Sequence, residues 1–203
     1  PLWGHANLLD RTLGWYETVE PVAREIARRQ GFPGVRWMKM TDPSGIEAPS
    51  KVGSFLIWQQ PHLIYLAELL YRADPTKEVL EKYNRLVQAT AEFMYSFATY
   101  DELEGRYILK GAIPAQETLR AAETVNPPFE LSYWHFAMQT AQQWRERMGQ
   151  QRSLEWDEMI DKLSPLASNK EGLYLAAETA TDTYKDIRYT SDHMAVLGAV
   201  GIL

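Results

Sequence analysis

Apolar residues recur at steps of three and four along most of the chain, the spacing of one face of an α-helix. Leu9, Leu13, Tyr16, Val19, Ala23, Ile26 and Ala27 mark the first such stripe and predict a helix over 6–30, stopped by Gly31. Pro21 lies inside it and is expected to kink the helix or split it in two. From Leu56 to Ala73 nearly every residue is apolar or aromatic, and a run of that length predicts a single buried helix. Asp74-Pro75-Thr76 opens the next with capping and proline chemistry. Its stripe, from Val79 and Leu80 through Tyr83, Leu86, Val87, Thr90 and Phe93 to Phe97, is the clearest amphipathic signal in the sequence. Pro127-Pro128 can start a further helix through Tyr133, Trp134, Ala141 and Trp144, ending at Gly149, and a shorter one is expected from about Ser153 to Leu163.

Between these stripes lie two long punctuated stretches. Residues 31–54 hold Gly31, Pro33, Gly34, Pro43, Gly45, Pro49 and Gly53, and a second loop runs from Gly111 to Asn126. Loops this long inside a compact fold are often functional. Asp101 to Gly105 reads as a turn, Arg106 to Lys110 as a short strand, and 169–190 as mostly irregular. The sum is an all-α fold of about six antiparallel-paired helices with little strand, either a bundle or part of a toroid of helical hairpins. No repeat at a fixed step points to a helical solenoid. The chain starts at Pro1 and stops inside the apolar run from Ala195 to Leu203, which reads as a helix cut partway along. The 203 residues are therefore expected to form one helical domain that is an excised part of a larger one.

Composition narrows the function classes. With 45% hydrophobic and 12% aromatic residues the chain can bury a core, which excludes intrinsic disorder. Cysteine is absent, which removes disulfide scaffolds, Cys-zinc sites and thiol nucleophiles and leaves the compartment open. The net charge of −6 and the lack of a basic stripe argue against nucleic acid as a partner. No apolar run reaches the ~20 residues that span a bilayer, so no membrane partner is expected.

The familiar catalytic signatures are missing: there is no G-x-S-x-G elbow, P-loop or G-x-G-x-x-G. Ser191-Asp192-His193 contains the residue types of a triad, but three neighbours cannot form the relay, and Ser191 or Asp192 reads better as a helix N-cap. The four histidines are scattered without metal-ligand spacing, so neither a metal nor another cofactor is expected. The loops carry more. Arg36, Trp37, Lys39, Trp58, Gln59, Gln60 and His62 combine indoles with amides and charge, the mixture a sugar site uses. Flat rings cover the apolar C–H face of a pyranose while polar groups take its hydroxyls. The second loop holds Gln116, Glu117, Glu123 and Asn126, followed by Glu130, Tyr133, Trp134 and His135. A glycosidase needs a carboxylic acid to protonate the leaving oxygen, and an inverting one needs a second carboxylate about 6.5–9.5 Å away to direct water. Glu117, in a loop next to an aromatic helix, is the candidate.

The stretch from Gly34 to Asn126 resembles the six-hairpin (α/α)6-barrel glycosidases, especially the catalytic domain of glycoside hydrolase family 65. Gly34-Val35-Arg36-Trp37 is similar to the family's Gly-Ala-Arg-aromatic segment, the apolar run around His62 and Ile64 to an inner-barrel helix, and Arg106 to Gly111 to the strand before its acid loop. The family's general-acid Glu follows that Gly by six positions, which lands here on Glu117, preceded by Pro114-Ala115-Gln116. The resemblance implies a partial (α/α)6 toroid from a carbohydrate-active enzyme, with an oligosaccharide as partner and an inverting glycoside hydrolase as the leading activity. It implies Glu117 as general acid and Arg36, Trp37, Gln59, His62, Asn126 and His135 as sugar contacts. A non-catalytic helical carbohydrate-binding or assembly module is the alternative. Half a toroid would leave Leu63, Ile64, Leu66 and the tail from Val196 open, so self-association through apolar helix faces is expected.

Overall fold

The periodic stripes fold as five substantial helices, seen in a computed structural model that describes residues 4–191 and 195–201. They are α1 (Ala6–Arg29), α2 (His62–Ala73), α3 (Lys77–Phe97), α4 (Pro128–Arg147) and α5 (Leu154–Lys162). Two one-turn helices follow, α6 (Ile187–Thr190) and α7 (Gly198–Gly201). The capping chemistry acts as the sequence implies: the Thr76 hydroxyl accepts from Val79 N at the start of α3, and Ser153 does the same for Trp156 N at α5. Ser191 closes α6 as its C-cap and is not an N-cap there, while Asp192 and His193, and with them the reading of an N-cap at Asp192, lie outside the described residues.

α2 and α4 pack on each other, while α1 and α3 cover α2, and α3 and α5 cover α4. This alternation of inner and outer helices explains why α4 is buried on nearly every side, with Trp134, Ala137, Met138, Ala141 and Trp144 fully enclosed. It is the arrangement of part of an (α/α)6 toroid. Glu68 ties the two inner helices together: it is buried, and it accepts from Trp144 Nε1 (2.8 Å) and from Arg147 (2.6 Å) of α4. The two antiparallel strands, β1 (Thr99–Asp101) and β2 (Arg106–Ile108), form a small hairpin with Gly105 at φ +65° in its turn.

Three expectations need correction. The apolar run beginning at Leu56 is not helical throughout; α2 starts at His62, with Pro61 as its N-cap. Residues 56–60 are instead held in a loop by hydrogen bonds to residues 35–37, described below. Pro21 does not split α1, which runs unbroken from residue 6 to 29. Leu63 and Ile64 are fully buried inside the chain, so they offer nothing to an open face.

Candidate functional site

Residues 34–37 are wedged between α1 and α3. Val35 N donates to Ala89 O (3.1 Å) and Arg36 N to Ala23 O (3.0 Å). The approach is so close that a Cβ on Gly34, at φ +76°, would lie 2.2 Å from Ala89 O. Residues 59–60 then substitute for a strand partner. Gln60 Oε1 accepts from Trp37 N (2.9 Å) and from the Arg36 guanidinium (3.2 Å), and its Nε2 donates to Val35 O (2.7 Å). Gln59 Nε2 donates to Trp37 O (2.9 Å) and Leu56 O (3.0 Å). Arg36 is buried, donates also to Leu56 O and lies over the Phe93 ring; burial pushes its guanidinium down to about 10.

This scaffold forms the wall of a pocket of about 220 Å³ lined by Trp15, Tyr16, Trp37, Lys39, Trp58, Gln59 and His62, among others. Trp37 is fixed by its indole N–H on Thr90 Oγ1 (2.9 Å) and by the edge of Tyr16 at 4.9 Å. Gln59 Oε1 is buried without a hydrogen-bond partner. His62, at the first position of α2, sets Nδ1 2.9 Å from the Tyr133 hydroxyl, and burial lowers its ring to about 4. At neutral pH the imidazole is therefore uncharged and presents one donor and one acceptor. Trp58 meets His62 edge-on at 5.3 Å, and Tyr133 stacks on Phe129 at 5.8 Å, which extends the aromatic wall from α2 to α4.

The second loop reaches the same place. Ile113 N donates to Phe55 O (2.9 Å), joining the two loops beside the N-terminal ends of α2 and α4. Glu117 forms an ion pair with Lys39, whose ammonium also lies over Trp58, 5.9 Å from the ring centre. Its side chain is 33% exposed, and it is tied to the pocket through Lys39 without itself being a lining residue. The residues before it are anchored too: Ala115 N donates to Glu130 Oε1 (2.6 Å) and Gln116 Nε2 to Tyr189 O (2.8 Å). At the base of the loop, Asn126 holds Leu109 N on its Oδ1 (2.9 Å) and donates to Glu178 (2.7 Å), which also receives Arg106 (2.7 Å).

The structure thus gathers Trp37, Gln59 and His62 in one pocket, with Arg36 built into its wall and Glu117 linked to it through the lining residue Lys39. It does not bring Asn126 or His135 there. Asn126 is fully buried with its amide committed to the loop base, at φ +52°. His135 is exposed on α4 and lines a separate groove with Ser132 and Asp161. Lys39, Trp58 and Tyr133 are legible in the sequence only as members of polar and aromatic stretches. Trp15 and Tyr16 carry no signal there beyond a place on an amphipathic helix. Among the described residues no group of three His, Asp or Glu assembles as metal ligands. No described helix is long and apolar enough to cross a membrane.

The fold defines a class of architecture: helical hairpins arranged as part of an (α/α)6 toroid. Among solved structures it is similar to one described as "Putative kojibiose phosphorylase from human microbiome", with a TM-score of 0.64, 12% identity and coverage of 84% of this chain. The matched region spans 27% of that protein, about a quarter of its length. At this identity the likeness is one of fold. No family model and no curated protein matches the sequence.

Proposed function

We propose that the chain is part of an (α/α)6 catalytic domain of the family 65 type, and that it carries the acid side of a carbohydrate site in an inverting glycoside hydrolase. The observation that carries this reading is the Lys39–Glu117 pair, which ties a carboxylate to a lining residue of a pocket walled by Trp37, Trp58 and a neutral His62. The indoles would cover the apolar face of a pyranose, and the unpartnered Gln59 Oε1 would accept from a hydroxyl. A sugar entering between Lys39 and Glu117 would open their ion pair, letting the ammonium turn to the sugar and the carboxyl to the glycosidic oxygen. Paired with the ammonium, Glu117 is a carboxylate, so it must take up a proton from solvent as the pair opens before it can deliver one to the glycosidic oxygen. The water-directing base, which inversion needs on the opposite face, would come from another part of the protein. The same ion pair favours a second reading, a non-catalytic sugar-binding or assembly module in which Lys39 and Glu117 stay closed.

The structural neighbour's description supports the carbohydrate reading at the level of the fold. Reducing-sugar release from a disaccharide panel by the protein that carries this chain, with and without inorganic phosphate, separates the readings. Hydrolysis without phosphate supports the proposal. Binding of sugars, seen as tryptophan quenching, with no bond cleavage supports the module. Phosphate-dependent release would replace hydrolysis by phosphorolysis, and neither binding nor turnover would end both readings. We propose also that copies of the chain associate through exposed apolar helix residues such as Leu8 of α1 and Leu154 of α5, the buried Leu63, Ile64 and Val196 taking no part; light scattering that gives the mass of one chain at micromolar concentration would refute this.

A further inference from the structure

Glu117 is the third of three consecutive residues that are each tied to a different element: Ala115 to α4, Gln116 to α6 and Glu117 to the first loop. Of the three anchors only the first is wholly buried. Glu130, in the first turn of α4, is 1% exposed and accepts the Ala115 N–H at 2.6 Å on Oε1, while Oε2 is buried without a partner. A carboxylate with a bare oxygen away from water is far costlier than a neutral acid in the same place. No ion pair reaches it among the described residues. Its ionisation is set by burial, opposed by the backbone N–H groups of Ala115 and of Glu130 itself, which together leave it raised to about 8. No charged side chain enters this balance.

We infer that Glu130 is the positioning residue of the Glu117 loop, holding Ala115 as a neutral acid and releasing it when ionised. The inference builds on the proposed role of Glu117, but the contact it describes exists whether or not Glu117 transfers a proton. Ionisation would place an uncompensated charge inside the protein, and the least costly relief is for the loop to lift and admit water. Glu130→Gln keeps an acceptor for Ala115 and cannot ionise; Glu130→Leu removes the acceptor.

Hydrogen exchange of a peptide spanning residues 112–119, corrected for intrinsic rates and compared with a peptide from α3, reads the contact directly. At pH 6.5 the wild type and Glu130→Gln are expected to be equally protected, and Glu130→Leu at least about tenfold less so. At pH 9 the wild type is expected to lose about tenfold relative to Glu130→Gln, while the α3 peptide is unchanged in both. Equal protection of all three proteins at pH 6.5 would overturn the inference, as would wild type and Glu130→Gln staying together at pH 9. If Glu130→Leu does not fold, the pH 9 comparison decides alone. Reading the loop by exchange keeps this test separate from turnover, so a Glu117 that proves non-catalytic leaves it intact.

Discussion

Replacing Glu68 by alanine should loosen the joint between α2 and α4, the two helices whose N-terminal ends carry the site. The carboxylate is 2% exposed and accepts from Trp144 Nε1, Arg147 and Arg72. Removing one partner of a buried ion pair commonly costs about 3–5 kcal/mol. Here Arg72 is 61% exposed and Arg147 26% exposed, so both can turn toward water and recover part of that. The Trp144 indole cannot, being fully buried, and its orphaned N–H alone costs roughly 1–3 kcal/mol. A net loss of about 3 kcal/mol follows, or roughly 6–12 °C in Tm for a chain of this size. Urea and thermal denaturation of Glu68→Ala would measure it. A Trp144→Phe background, which removes the stranded donor, should lower the cost of Glu68→Ala by about 1–2 kcal/mol. Burial alone would raise the Glu68 carboxyl, but the bonds from Arg147, Trp144 and Arg72 outweigh it and hold it below its usual range. Its contribution is therefore full above the unfolded value and is lost as pH falls through the folded one. A loss under 1 kcal/mol, or no coupling to Trp144, would refute the reasoning.

Gly34→Ala puts a Cβ 2.2 Å from Ala89 O at φ +76°, so it should cost about 3 kcal/mol or more, seen as a lower urea midpoint; a change within about 0.5 kcal/mol would show that the segment can move aside. His62 falls from 6.5 to about 4 on folding, so the unfolded chain gains its proton first and stability drops as pH falls through that window. Relative to pH 7, His62→Gln should spare the protein up to about 3 kcal/mol of that acid loss, and identical acid limbs in the two proteins would count against the buried neutral imidazole.

Much of the fold is legible in the sequence because local chemistry decides it. The stripe from Val79 to Phe97 and the cap at Thr76 place α3 almost to the residue, and the helix after Pro127 falls where proline can start one. The failure at 56–61 is instructive. Leu56, Ile57 and Trp58 continue the apolar run, yet Gln59 and Gln60 spend their amides on the backbone of residues 35–37, more than twenty positions away. No local pattern announces such a bond. The β1 strand is hidden for a related reason: Thr99 to Asp101 pairs only because the turn at Gly105 returns β2 beside it. The site divides along the same line. Residue type in a loop points to Trp37, Gln59 and His62, which line one pocket, and to Glu117, which is paired with the lining residue Lys39. The same reasoning selects Asn126, whose amide is consumed by Leu109 and Glu178, because sequence cannot tell a polar group that waits for a ligand from one that staples a loop.

Turnover and binding of Glu117→Gln, in the protein that carries this chain, bear most directly on the proposed role of this site. The amide keeps the shape of the side chain and can still meet Lys39 through its oxygen, but has no proton to give. Hydrolysis of the best disaccharide from the panel should fall by at least about 10²-fold, while affinity, followed by tryptophan quenching, changes only a few-fold. Turnover within a few-fold of wild type would contradict the assignment of Glu117 as the acid.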